Sequence, residues 1–225
     1  MRGTSRLAIA TLAMALPLLA GAPRASAAVI LEVEGNDTFG TAQLVPGASF
    51  TLNFDANIGT GSGAGFVNTS TTAPHATILA VSSTFASFDF YRFTTSSAGQ
   101  IILDIDSAPQ GTTFDTELHL FDAAGVKLFE SDDNGGDPGD GPGTVGGSFN
   151  SRIQTAVLPA GDYVVGVAAF NSFSSNGGVI TGAPVPAGGL YTLHVSANAV
   201  PEPMSLLLLG AGIAGVAARR RQRRR

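Results

Sequence analysis

From Gln100 to Asp106 the side chains alternate: Ile101, Leu103 and Ile105 are apolar, while Asp104 and Asp106 point the other way. A period of two is the geometry of an extended strand, so one face is expected to be buried and the face with the aspartates wet. The same rhythm recurs along the chain. Phe50, Leu52 and Phe54 alternate within residues 49–58, and further strand-like runs fall at 77–81, 88–94, 117–121, 126–130, 152–158, 162–170 and 190–196. Glycine and small polar residues separate them. Asp122-Ala123-Ala124-Gly125 reads as a hairpin turn with glycine where a positive φ is needed, and residues 59–75, 132–148 and 171–189 read as loops. About nine short strands with no amphipathic helix between them predict an all-β chain folded as an antiparallel β-sandwich.

The ends of the chain set where that sandwich resides. Arg2 and Arg6 flank the start of an apolar run over residues 7–20, and Ala25-Ser26-Ala27 supplies the small residues a signal peptidase needs. Residues 1–27 are therefore expected to be a helical signal peptide cut between Ala27 and Ala28. Pro17 and Arg24 make it a poor membrane anchor, and a chain without cysteine cannot be a lipoprotein. At the other end, residues 204–218 carry no charge and six arginines follow within residues 219–225. The positive-inside rule then leaves the C-terminus in the cytoplasm. Fifteen helical residues span only ~22 Å of a ~30 Å hydrocarbon core, which suits a short transmembrane helix serving as a transient tether.

Pro201-Glu202-Pro203, the short apolar helix and the arginine cluster, in that order, resemble the PEP-CTERM sorting signal. The resemblance covers residues 200–225. It implies an exosortase and the secretion machinery as partners, processing near Pro201, Glu202 and Pro203, and passage to the cell surface or beyond it. It also suggests exopolysaccharide as a neighbour. The alternative is an ordinary C-terminal membrane anchor.

Between these segments the composition changes. Residues 28–199 hold only three basic residues, Arg92, Lys127 and Arg152, against sixteen acids. Such a surface repels nucleic-acid phosphates, and its carboxylates either solvate the protein or hold cations. With no cysteine for disulfides, calcium is the expected source of extra stability in an exported domain of this size.

A second resemblance spans nearly all of residues 28–199. Residues 34–43 (Glu-Gly-Asn-Asp-Thr-Phe-Gly-Thr-Ala-Gln), Asp89-Phe90-Tyr91-Arg92-Phe93-Thr94, the run Asp115 to Asp122, Leu158-Pro159-Ala160-Gly161-Asp162-Tyr163 and Tyr191-Thr192-Leu193 resemble the bacterial pre-peptidase C-terminal (PPC) domain. That family implies a jelly-roll-like sandwich. Gly35 stands where the family usually has proline.

Glu32, Glu34, Asn36 and Asp37 place four oxygen-bearing side chains within six residues. Calcium takes six to eight hard oxygen ligands, and alternate carboxylates on an extended segment share one side. The spacing is similar to the calcium-binding linker of the collagen-binding domains of bacterial collagenases, which implies Glu32, Glu34, Asn36, Asp37 and also Asp89 as ligands. Those domains have a further carboxylate where this chain has Ala86. The other reading is that Asn36 and Asp37 cap a turn while the glutamates are solvated. A weaker calcium candidate is the acidic loop with Asp132, Asp133, Asn134, Asp137 and Asp140, which matches neither the EF-hand nor the nonapeptide pattern.

Catalysis finds little support in the sequence. His75 falls in a loop, His119 and His194 in strands, and none has metal-ligand spacing to another histidine. There is no Gly-x-Ser-x-Gly elbow, and Asp104 and Asp106 are too close in the chain for an acid pair across a cleft. Tyr91, Tyr163 and Tyr191 read as core. The expected protein is thus a non-catalytic, calcium-stabilised surface or matrix component. A specific glycan-binding module, reading sugars through the 171–189 loop, is the alternative, and a hydrolase a more distant one.

Overall fold

The computed structural model describes residues 29–55, 58, 68–81, 85–107, 114–132 and 150–197. The expected signal peptide, the sorting segment with its expected apolar helix, and Asp133, Asn134, Asp137 and Asp140 of the acidic loop lie outside these residues. Among the described residues, no helix is long and apolar enough to cross a membrane.

The described residues form twelve strands: β1 (Val29–Leu31), β2 (Gln43–Leu44), β3 (His75–Val81), β4 (Asp89–Thr95), β5 (Ile101–Ser107), β6 (Thr116–Asp122), β7 (Lys127–Ser131), β8 (Arg152–Gln154), β9 (Gly161–Ala169), β10 (Ser172–Ser175), β11 (Val179–Gly182) and β12 (Leu190–Ala197). One sheet has the order β1-β3-β12-β5-β8, the second β2-β4-β9-β6-β7, and β10-β11 is a separate hairpin. All pairings are antiparallel except two short ones at the edges, β1 with β3 and β2 with β4, which are parallel.

Alternation builds the core. Ile78, Leu103, Ile105, Leu193 and Val195 from the first sheet meet Tyr91, Phe93, Leu118, Leu120, Val165 and Val167 from the second in one buried cluster, which makes the fold a sandwich. Phe93 stacks on Tyr163 with ring centroids 6.0 Å apart. All three tyrosines are buried, as their strand positions predict. The 122–125 turn is also as read: Asp122 Oδ1 accepts the amides of Ala124 and Val126, and Gly125 has φ of +79°.

The outer face of the second sheet is apolar as well, because the expected 171–189 loop is partly a hairpin folded onto it. Ile180 of β11 joins Phe90, Phe121, Val164 and Ala168 in a second cluster, and Phe39 packs edge-on to Phe121 at 6.0 Å. The hairpin tip approaches Phe39 so closely that a β-carbon on Gly178 would lie 2.3 Å from the ring.

The first sheet departs from its reading on the outer face. Asp104 and Asp106 are buried, 2% and 4% exposed, not wet. Near them on this face passes the segment expected to be a strand over residues 49–58. Among the described residues it makes one bridge, with Thr51 and His75 exchanging both backbone hydrogen bonds at 2.9 Å, and it carries Asp55 and the buried Ile58. Phe50 points inward, whereas Leu52 and Phe54 are exposed, so this alternation sorts no single face. Asp55 reaches the outer face of the sheet beside Thr77 and His194.

Candidate metal centre

At one end of the sandwich the structure gathers three of the five residues expected to bind calcium. Glu32 follows β1, its amide donating to the Leu79 carbonyl at 3.0 Å. Asn36 is 1% exposed, and its carbonyl accepts from the Phe90 amide at 2.9 Å, which seats it beside Asp89 at the start of β4. Between them Gly35 has φ of +100°, a conformation proline cannot reach with its φ fixed near −65°. Glycine at this position gives the segment a turn that proline would forbid. Glu34 and Asp37 are exposed and line an adjoining cleft of about 480 Å³ with Phe85, Ala86, Ser87, Phe88 and Pro184. They form the rim, while Glu32, Asn36 and Asp89 form the floor.

The floor is under-supplied with donors. Asp89 is fully buried and receives Ser87 Oγ on one oxygen at 3.0 Å and Tyr191 Oη on the other at 2.7 Å. Both Glu32 oxygens and both ends of the Asn36 amide are buried; the side-chain partner of Glu32 is the Asp89 carboxyl group, another acid, and that of Asn36 is the Tyr91 hydroxyl. Burial, then the negative charges of Asp89 and Glu34, push Glu32 up to about 8. Burial also raises Asp89, to about 6, against the donors from Tyr191 and Ser87. Closely placed carboxylates without a compensating cation are costly, and a hard divalent ion is the group that would satisfy these oxygens together. The donor set fits calcium. Sequence reasoning missed Tyr191 and Ser87, the two groups that orient Asp89; Tyr191 comes from the opposite sheet, and no spacing in the chain announces that contact.

Of the second, weaker calcium candidate only Asp132 is described, half-buried at the end of β7. The described residues contain another ligand-like group that the sequence did not suggest, Glu117, His119 and Glu130 on the outer face of the second sheet, with ligand atoms within 4.8 Å of one another. Here protons already fill the lone pairs. Glu117 Oε2 accepts the amide and hydroxyl of Ser172 at 2.9 and 2.8 Å, and Glu130 Oε2 accepts Lys127 Nζ at 2.8 Å and the Ser174 amide at 2.9 Å. His119 sits between, Nδ1 at 3.2 Å from Glu130 and Nε2 at 2.8 Å from Ser172 Oγ. The row Ser172, His119, Glu130 has the order of a nucleophile, base and acid. Its serine is 1% exposed and its hydroxyl is bound to Glu117, so the row works as a clamp holding β10 to β6. Burial keeps His119 near 4; burial also acts to raise Glu130, but Lys127, Ser174 and His119 outweigh it and hold Glu130 near 2.

The fold and the tail together define an exported all-β protein that carries its own sorting address. Residues 199–222 match the PEP-CTERM protein-sorting motif, which implies recognition by an exosortase. Among solved structures, the pre-peptidase C-terminal domain of a collagenase from Bacillus anthracis is similar over 54% of this chain and 88% of that chain, at 15% identity and a TM-score of 0.33. The sequence has no significant match among curated proteins.

Proposed function

We propose that this chain is a non-catalytic component of the cell surface or extracellular matrix, stabilised by calcium at the Glu32, Asn36 and Asp89 floor, with Glu34 and Asp37 at the rim. The observation that supports it most directly is the buried pairing of Glu32 with Asp89, two carboxyl groups packed against each other. When bound, calcium would neutralise that charge and tie the segment after β1 to the start of β4. Asp104 and Asp106 are buried, and so is Ser172 on the hairpin strand β10, which favours a structural role over hydrolysis. Association with exopolysaccharide is the reading that accompanies the sorting motif. The cleft beside the floor favours a second reading, a glycan-binding module, because Phe85 is 78% exposed next to Glu34 and Asp37.

The test is thermal melting of the full chain with calcium and with excess chelator, alongside Glu32→Gln and Asp89→Asn. Calcium at a hundredfold over its Kd should add about 2.7 kcal/mol of stability, and the variants should lose that gain. An unchanged melt in chelator would remove the ion from the account. Saturable, calcium-dependent binding of purified exopolysaccharide that Phe85→Ala abolishes would favour the glycan reading.

A further inference from the structure

We infer that His194 is a charge-dependent latch: as an imidazolium it ties the segment 50–55 to the outer face of the first sheet, and it lets that segment go once the ring loses a proton. His194 is 1% exposed and stands in the central strand β12. Acceptors face both of its nitrogens. Nδ1 lies 3.0 Å from Thr77 Oγ1, whose own proton goes to Asp55 Oδ2 at 3.3 Å, so the threonine oxygen accepts from the ring. Asp55 Oδ2 is itself 3.7 Å from Nδ1. On the other side Nε2 faces Asp106 Oδ2 at 3.6 Å. A neutral imidazole has one proton to give and would turn a lone pair toward one of these partners; the doubly protonated ring serves both.

Strand register brings the parts together. His194 lies opposite Thr77 where β12 pairs with β3, and opposite Asp104 where it pairs with β5, which makes Asp106 a diagonal neighbour. Asp55 arrives from outside the sheet. Its amide donates to Ser70 Oγ at 3.1 Å and its carbonyl accepts Asn68 Nδ2 at 2.6 Å, so its carboxylate anchors the residues 68–70 as well as its own segment. The charges facing the ring are mostly negative, from Asp55, Asp104 and Asp106. The basic groups are Arg152, opposite Asp104 on β8, and His75, the diagonal neighbour on β3. His75 was expected in a loop but opens β3, fully buried and hydrogen-bonded to the backbone of Ser70 and Ala73. Its burial holds it below 6.5, so it adds no charge at neutral pH. Burial acts to discharge His194 too, but Asp106, Asp55 and Asp104 outweigh it and keep the proton on past 6.5. The stability that the latch contributes is therefore fully present below pH 6.5 and is lost as pH rises through the folded value.

The test is an NMR titration of the imidazole rings in the full chain, by long-range nitrogen-to-proton correlation, with saturating calcium present to keep Glu32 and Asp89 silent. His194 should carry a proton on each nitrogen at pH 7 and should titrate above 6.5. Asp55→Asn and Asp106→Asn should each lower that midpoint by roughly one unit, while His119→Gln, on the other sheet, leaves it unchanged. Hydrogen exchange reads the latch itself. The Thr51 amide, bonded to the His75 carbonyl, and the Asp55 amide should lose protection roughly tenfold as the ring discharges, after correction for base catalysis, while amides in the middle of β9 keep theirs. In Asp55→Asn that loss should already be present below the midpoint. Asp55 is partly exposed, so this variant keeps the test open should Asp106→Asn fail to fold. A ring with a single proton at pH 7, a midpoint indifferent to every folded aspartate variant, or protection at Thr51 and Asp55 that ignores the titration would overturn the latch.

Discussion

Tyr191 Oη donates to Asp89 Oδ2 at 2.7 Å, from the central strand of one sheet to the first residue of a strand in the other. Because its single proton is spent there, Tyr191 accepts in turn from Tyr91 Oη at 2.6 Å. The relay crosses the sandwich just beneath the proposed calcium floor. Tyr191→Phe removes the donor without changing the ring packing against Phe114. Hydrogen bonds to buried charged groups are worth about 1.5–3 kcal/mol, so the variant should lose about that much, read from its denaturant midpoint, and should bind calcium more weakly.

Without calcium the floor should prefer acid. Glu32 is raised from 4.5 to about 8 in the folded chain, so the unfolded chain ionises first as pH rises and stability drains between pH 4.5 and 8. In chelator, denaturant midpoints should therefore rise as pH is lowered through that window. Saturating calcium should flatten the trend, and Glu32→Gln should remove its upper part, leaving the contribution of Asp89, raised from 3.8 to about 6 by burial.

The clamp on the second sheet has the opposite sign. His119 falls from 6.5 to about 4, so on acidification the unfolded chain takes up a proton before the folded one and stability is lost between pH 6.5 and 4. Glu130, near 2 instead of 4.5, extends the loss from pH 4.5 down to 2. The stability difference between wild type and His119→Gln, followed across pH with calcium present, should shrink as pH falls through the upper window.

Gly178→Ala tests the close approach of hairpin and sheet. Its φ of +68° and the 2.3 Å approach to Phe39 leave no room for a methyl group, so a loss of about 1–3 kcal/mol is expected. Adding Phe39→Ala removes the obstacle, and the double variant should be more stable than the sum of the two single changes predicts.

What was legible in the sequence follows from the range of the physics involved. Alternation in 101–106 and the Asp122 to Gly125 turn are local, and both were readable. The wetness of a face depends on what covers it. Asp104 and Asp106 are buried although their strand alternates, and the fourteen residues from Ser172 to Val185 concealed a hairpin that covers the other sheet. Glu32, Glu34, Asn36 and Asp37 were readable as one group because they fall within six residues. His75 and His194 were not, since only strand register brings them to one face.

β12 ends at Ala197, two residues before the sorting motif begins, and it is hydrogen-bonded along its length to β3 on one side and β5 on the other. Tension applied through the tail therefore enters the sandwich at its middle. An edge strand can be unzipped one bond at a time, but a strand flanked on both sides resists pulling along its axis with two ladders loaded together. Were the tail to hold the chain, its point of attachment would also be the part of the fold best built to bear a load.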